Sequence, residues 1–467
     1  MPIESTRIKS LNDTGARRGD YVLYWMQQSQ RAVWNHALEY AAREANDQGR
    51  MLLVAFGLTD DYPEANQRHY TFMLEGLKET RTTLASRGIK MVLLPGQPPD
   101  VALDLAERAS MIVCDRGYLR HQRAWRERVA LQAPCPVVQV ESDVVVPLEV
   151  VSNKAEYAAR TIRPKIHRHL ATYLVGLRPT RVKHPSLDLK IEGLGLDDLD
   201  KLLQNMNLDD DVPPVSSMFK GGTSQAVKRF DGFVRRRLEF YDRHSNQPQT
   251  NDVSHMSPYL HFGQISPLYL ALKINRMPDA YRESKAAYIE ELIVRRELAM
   301  NFVFYTANYD TYECIPPWAR KTLGEHKGDR RETIYSRRQL DNAETHDRYW
   351  NAGMLEMKHT GFMHNYMRMY WGKKILEWSK TPRTAYRTTL ALNNKYFLDG
   401  RDPNSYAGVA WIYGVHDRAW AERPIFGKIR YMAAAGLERK CDIGAYVKKV
   451  DGLIEKVGSR CRCQNNR

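Results

Sequence analysis

An α/β half followed by an all-helical half is the architecture that the sequence predicts, and three observations predict it. Across residues 1–150, short apolar runs alternate with helical patterns, the arrangement of a doubly wound parallel sheet covered by helices on both faces. From Met218 onward the pattern is mostly helical. Between them, residues 179–214 turn acidic and proline-punctuated, with GLGLDDLDKLLQNMNLDDDVPP at their end, as a surface linker does. The expected division is a Rossmann-like α/β domain at 1–150, a linker at 151–215 and an all-α domain at 216–467.

In the first domain, Tyr21–Met26, Met51–Phe56, Lys90–Leu94, Met111–Cys114 and Val137–Val140 read as buried strands. Ala32–Glu44, Arg68–Ser86, Val101–Ala109 and Arg120–Leu131 read as the intervening helices. Ligands of such sheets sit beyond the strand C-termini. The polar turn Gln27-Gln-Ser-Gln-Arg31 follows the first strand and reads equally as a ligand edge or an ordinary turn. No GxGxxG occurs, so the turn carries no nicotinamide fingerprint.

In the linker, Ser152–Ile166 is a basic, helical segment. In the helical half, Gly221-Gly-Thr-Ser-Gln-Ala226 precedes a basic helix at Val227–Phe240. Such a start offers backbone N–H groups and a positive dipole end to phosphate, and by itself is also an ordinary cap. SHMSPYLHFGQISP, from Ser254, is a loop and turn leading into a helix, and Tyr288–Leu298 carries carboxylates and arginines on one helix.

The stretch around which the rest is organised is MHNYMRMYWGKKILEW, Met363–Trp378. It lacks proline and reads as a helix. Trp371 and Trp378 fall on nearly one face, roughly 10.5 Å apart along the axis. Asn365, Arg368 and Gly372 form a polar-and-small strip beside them. A buried arginine demands an anion or acceptors, and the glycine leaves room for something flat to approach the backbone. The pattern suggests a helix that holds a cofactor and wires it to the surface.

Lysine and arginine total 70 against 55 acidic residues, a net charge of +15, which favours a polyanionic partner, nucleic acid first and anionic membrane second. No apolar run is long enough to span a bilayer, and MPIESTRIKSLND has no hydrophobic signal core, so neither membrane insertion nor secretion is expected. The cysteines Cys114, Cys135, Cys314, Cys441, Cys461 and Cys463 show no CxxC spacing and read as reduced thiols, with the Cys461/Cys463 pair incidental. No HExxH occurs among the histidines, which argues against a metallohydrolase.

Taken together, SNKAEYAARTIRPKI, GGTSQAVKRF, SPYLHFGQISP, EELIVRREL, MHNYMRMYWGKKILEW, LDGRDPNSYAGVAW and FGKIRYM, in that order from Ser152 to Met432, resemble the photolyase and cryptochrome family. Within it they resemble class II cyclobutane pyrimidine dimer photolyases. With the N-terminal β-α pattern, the resemblance covers nearly the whole chain. It implies an antenna domain, an FAD-binding helical domain, double-stranded DNA containing pyrimidine dimers as partner, and light-driven splitting of the dimer by an electron from excited reduced FAD.

Residue by residue, the resemblance implies that Gly222, Thr223, Ser224 and Gln225 cradle the FAD pyrophosphate. Asn365 and Arg368 meet flavin and adenine, and Asp399 pairs with Arg368. Asn393, or its neighbour Asn394, stands opposite flavin N5. Glu291, with Glu290 as alternative, hydrogen-bonds the dimer, which stacks on Trp411 with Met369 on its other side. Other branches carry a tryptophan about one turn after the glutamate, where this chain has Val294-Arg295-Arg296. Trp350, Trp371 and Trp378, with Tyr370 assisting, form the electron-transfer chain. Arg418, Arg423, Lys428 and Arg430, around Trp420, contact phosphate or fill the space left by the flipped pair. The antenna chromophore implied is a deazaflavin in preference to a folate. A monomer in the cytoplasm, at the nucleoid or in a nucleus, is expected. The rivals are a cryptochrome-like photoreceptor without repair activity and a light-independent DNA-binding protein or glycosylase.

Overall fold

The computed structural model describes residues 3–464, with side chains through residue 457. The side chains of Cys461 and Cys463 lie outside the described ones. A six-stranded sheet has the order β1-β6-β5-β2-β3-β4: β1 Ile8–Ser10, β2 Tyr21–Trp25, β3 Met51–Leu58, β4 Lys90–Pro95, β5 Ala109–Asp115 and β6 Val137–Val140. β2 to β6 pair in parallel, and the edge strand β1 runs antiparallel to β6, with Ile8 opposite Val140. The five expected strands are all present; β1 escaped the sequence reading because it is short and mostly exposed. The helices α1 His36–Asp47, α2 Gln67–Ser86, α3 Pro98–Ala106 and α4 Arg120–Gln132 fill the crossovers.

β2 shows why continuous apolar runs make a central parallel strand. Tyr21, Leu23 and Trp25 pack into the core on one face, and Val22 and Tyr24 into the core on the other. The chain adds β3 and β4 on one side of β2, then returns to add β5 and β6 on the other. The switch point lies at the C-terminal ends of β2 and β5, where doubly wound sheets hold ligands.

The second half is helical. Its central helix, Asn365–Trp378, contributes Met367, Tyr370, Trp371, Ile375, Leu376 and Trp378 to the main core. Gly372 has a different role from the one expected. A Cβ there would stand 2.1 Å from Ile412 Cδ1, so the glycine lets the Pro403–Ile412 helix approach and does not open a slot for a flat ligand.

Buried polar contacts weld the halves together. Arg68 donates to the carbonyls of Pro213 and Tyr396 at 2.9 and 2.8 Å, and Gln28 donates to the His261 carbonyl at 2.6 Å. Gly263 has a φ of +62° and comes so close to Gln28 that a Cβ would sit 1.8 Å from its carbonyl oxygen. Helix Arg296–Tyr305 adds Glu297, one carboxyl oxygen of which accepts the N–H groups of Val145 and Val146.

Candidate active site and switch-point cavity

At the switch point a cavity opens between the halves. It is lined by Gln27, Gln28, Gln30, Tyr62, Gln122 and Trp125 on the sheet side, and by His261, Phe262 and Arg401 from the helical half. One carboxylate shapes its polar edge. Asp115, at the end of β5, is fully buried and accepts the N–H groups of Gln27, Gln28 and Ser29 at 3.2, 2.9 and 2.9 Å and the Tyr24 hydroxyl at 2.9 Å. Burial pushes its pKa up, against those N–H donors. The side-chain amide of Gln27 has neither donor nor acceptor satisfied by the protein, and Gln30 keeps an unpartnered oxygen. The polar turn read from the sequence therefore faces a cavity with unspent hydrogen bonds.

The second site is built on the central helix. Arg368 donates to both oxygens of Asp399 at 3.0 Å, and its guanidinium lies 3.8 Å from the centre of the Phe397 ring. Asn365 heads the helix with its side chain exposed. Of the two adjacent asparagines, Asn394 is spent on structure: its amide donates to Glu64 at 2.6 Å and its oxygen accepts the Arg401 N–H at 3.1 Å. Asn393 donates to Ser405 and Asn394.

The paired glutamates separate the same way. Glu290 is gripped by Arg163 through two hydrogen bonds, at 2.9 and 2.7 Å, with Arg295 at 3.2 Å. Burial opposes its charge, but the two arginines outweigh it and the pKa falls. Among the described residues, Glu291 has a single ion pair, with Arg295 at 4.0 Å. Burial raises its pKa and neighbouring Glu290 adds to the effect, against Arg295. Half its side chain remains open to solvent. Trp411 carries Arg295 on its ring at 5.4 Å, and Met369 is half-buried next to Arg368.

The tryptophans are buried in series. Trp350 donates its indole N–H to the carbonyl of Trp371 at 2.9 Å and meets Trp378 edge-on at 5.6 Å between ring centres. Trp378 touches Tyr335 and the exposed His346 at 5.4 and 5.3 Å. Trp350, which lies outside the central helix, thus reaches the backbone of one of its tryptophans and the ring of the other. The Trp371 indole N–H is buried without an acceptor. Tyr370 hydrogen-bonds the carboxylate of Asp347, and burial followed by that carboxylate pushes its pKa up.

The phosphate cradle expected at Gly222–Gln225 is corrected by its partners. Ser224 gives both its N–H and its hydroxyl to Glu79 at 2.8 and 2.7 Å, and Gly222 gives its N–H to Gln264 at 2.7 Å. A carboxylate from α2 already caps the Thr223–Arg236 helix, so the loop is a seam between the halves and repels a second anion.

The residues that suit an anionic cofactor stand in the Pro248–Ser257 loop and before the central helix. Lys449 donates to the carbonyls of Pro248 and Thr250, both at 2.9 Å. His255, at a φ of +55°, and His364 each keep a buried ring nitrogen without a partner. Burial drives both imidazoles down to about 3; Arg229, Lys449 and Arg237 lower His255 further, and Lys449 and Arg368 lower His364. The His364 Nδ1 accepts the Tyr366 N–H, which leaves its Nε2–H as an unpartnered donor, and a free N–H amid clustered cations fits a dinucleotide pyrophosphate. The SHMSP turn was visible in the sequence; the cations that converge on it were not.

Beyond Trp411, the chain forms a basic hairpin closed by a bridge between Arg423 and Gly427. Trp420 is exposed, with Arg418 and Arg430 at 5.1 and 5.2 Å from its ring. Arg423 lies 5.4 Å from the Tyr431 ring, and Lys428 is exposed. All four expected basic residues fall on one patch. Among the described residues, no helix is long and apolar enough to cross a membrane.

An α/β antenna-type domain fused to a helical domain is the photolyase/cryptochrome fold. A class III photolyase from Agrobacterium tumefaciens superimposes with a TM-score of 0.72 at 16% identity, covering 94% of this chain and 88% of that one. A Synechocystis cryptochrome gives 0.69 at 16%, covering 93% and 89%. The DNA photolyase family profile matches residues 22–186. The deoxyribodipyrimidine photo-lyase of Methanothermobacter thermautotrophicus is 50% identical over 455 residues, 97% of this chain and all of that one. The Oryza sativa protein of the same name is 40% identical, covering 96% and 91%. The chain belongs to the DNA photolyase family.

Proposed function

We propose that this protein is a class II cyclobutane pyrimidine dimer photolyase, a lyase that binds DNA carrying a pyrimidine dimer and splits the dimer under blue or near-UV light. One observation carries the reading. An unspent carboxyl, Glu291, and the ring of Trp411 are linked through Arg295, in a chain that also holds the Arg368–Asp399 pair and a buried tryptophan series.

FAD would be held by the Pro248–Ser257 loop, Asn365, Arg368, Asp399 and Asn393, and when fully reduced would supply the light-excited one-electron donor. Arg368 would offer the flavin a fixed positive charge, with its guanidinium oriented by Asp399. Asn393 offers an amide able to donate or accept. The basic hairpin, with Arg418, Arg423, Lys428 and Arg430, grips phosphates, and the weakened damaged pair is flipped at reduced cost. The dimer stacks on Trp411, with Met369 opposite. Burial raises the Glu291 pKa, and its protonated form donates to a pyrimidine carbonyl in a bond that strengthens as that oxygen gains charge. Trp371, Trp350 and Trp378 form the electron path to the surface, and Tyr370 holds Asp347 beneath Trp350.

The switch-point cavity is the antenna site. The glutamine amides and the Tyr62 and Trp125 rings along its wall, with Arg401 the charged residue among those named, suit a flat deazaflavin in preference to a folate. The reading also keeps the division at residues 150 and 215, a monomer, and action wherever the cell keeps its DNA. The test is an absorption spectrum of the purified protein, followed by dimer repair in light and in dark. Flavin bands with repair only in light support the proposal. Flavin without repair makes the protein a photoreceptor of cryptochrome type, and no flavin removes both readings.

A further inference from the structure

Other branches of the family close the lesion pocket with a second aromatic wall, and here Val294, Arg295 and Arg296 stand at that level of the helix. Their environments differ. Val294 is 1% exposed and packed into the helical core. Arg296 is buried and donates to the Asp143 carbonyl, bracing the other half of the molecule. Arg295 alone turns toward the pocket. It ends the π-helical turn Glu290–Arg295, a wider turn that shifts the side chains after it around the axis and often marks functional positions.

The guanidinium of Arg295 covers one face of Trp411, its carbon 5.4 Å from the ring centre. Its Nε stands 3.2 Å from Glu290 and 4.0 Å from Glu291, yet that N–H is buried with no aligned acceptor. Glu290 is already committed to Arg163 through two hydrogen bonds, so Arg295 is tethered loosely. One-third of its side chain is exposed. A guanidinium is planar, permanently charged and weakly hydrated, so it stacks on rings as an aromatic plate does while adding a charge.

We propose that Arg295 is the second wall of the lesion pocket. In the free protein its plate shields Trp411. When the dimer arrives, the plate moves off the indole and lies against the pyrimidines near Glu291. The inference rests on reading the Glu291–Trp411 pocket as the lesion site. The dimer gains one electron, its two ring-closing C–C bonds break, and the electron leaves again; Arg295 keeps its proton throughout and faces the extra charge while it is there. Like the Glu291 hydrogen bond, it stabilises the charged dimer more than the neutral one.

The test uses the full-length holoprotein as Arg295→Gln and Arg295→Lys, each checked for FAD content. Dark affinity for a dimer-containing duplex is measured across salt, and repair yield per absorbed photon at saturating DNA. The expected result for Arg295→Gln is a several-fold loss of dimer-over-undamaged preference and a lower yield, with the salt slope unchanged. Arg295→Lys restores part of the yield, because it keeps the charge and loses the plate. A slope lower by about one unit with unchanged yield would make Arg295 a phosphate ligand and overturn the proposal. Unchanged preference and yield in both variants would leave it a mere tether of Glu290. Glu291→Ala and Trp411→Ala serve as controls. If they too repair normally, the pocket reading itself fails; if they fail to repair while Arg295→Gln does not, only the wall is lost.

Discussion

The two sites are built by opposite means. The switch-point cavity is mainly neutral: amides and rings, with its turn held by one buried carboxylate that accepts three N–H groups. The central-helix site is made of charge, with the Arg368–Asp399 pair, an arginine-bound Glu290 beside a freer Glu291, and cations clustered around two histidines that each keep one ring nitrogen unpartnered. A neutral cavity can hold a chromophore without disturbing its electrons. A charged one can favour a state that carries an extra electron. On the proposed function, light collection belongs to the first site and chemistry to the second, and variants at each can break or sharpen that separation.

The largest effect is expected within the charged half. Trp371→Phe keeps most of the packing but removes an oxidisable ring. It should all but abolish photoreduction of oxidised FAD while enzyme reduced chemically still repairs dimers. Photoreduction at the wild-type rate would move the electron path elsewhere.

Asp115→Asn tests the neutral half. The amide presents a donor to a nest of N–H groups and should cost about 1–3 kcal/mol of stability, read as a lower unfolding midpoint in urea. Antenna loading should fall while repair under direct flavin excitation persists. Loss of both would show that the sites are not separable.

Glu297 probes the weld between the halves. Burial pushes its pKa from 4.5 to about 8, against the Val145 and Val146 N–H groups. The folded chain holds this proton longer than the unfolded one, so the contribution to stability is full below pH 4.5 and is lost as pH rises through about 8. Glu297→Gln keeps the acceptor oxygen and should flatten that loss. Melting curves from pH 5 to 9 that fall equally in both proteins would contradict it.

The smallest effect belongs to the DNA surface. Arg423→Ala with Lys428→Ala should reduce the salt slope of binding by roughly one unit for each phosphate that is no longer neutralised. An unchanged slope would place the duplex on another face.

The sequence disclosed what repeats locally and concealed what depends on distant partners. Continuous apolar runs gave five strands, and helical spacing placed the central helix within two residues of its start. Glu291 and Glu290 are alike in sequence; Arg163, more than a hundred residues earlier, separates them. Asn394 is likewise taken out of contention by Glu64, from the other half. The Gly222–Gln225 loop looked like a phosphate site because the Glu79 that caps it lies on α2. Gly372 looked like a gap for a ligand because Ile412, which fills it, is on another helix. Trp350 was assigned from family resemblance, and its contacts with the Trp371 backbone and the Trp378 ring appear only when two helices are packed.

The most direct measurement of the central claim is the repair yield per absorbed photon, at saturating dimer DNA and equal FAD content, for wild type, Glu291→Gln and Glu291→Ala. Gln keeps the shape and a weaker donor; Ala removes both. The yields should fall in that order, with Ala roughly tenfold below wild type, the equivalent of a charge-assisted hydrogen bond of about 1.5 kcal/mol. If all three proteins repair equally well, and the two variants lose only thermal stability, Glu291 is a partner of Arg295 and nothing more, and the lesion site lies elsewhere.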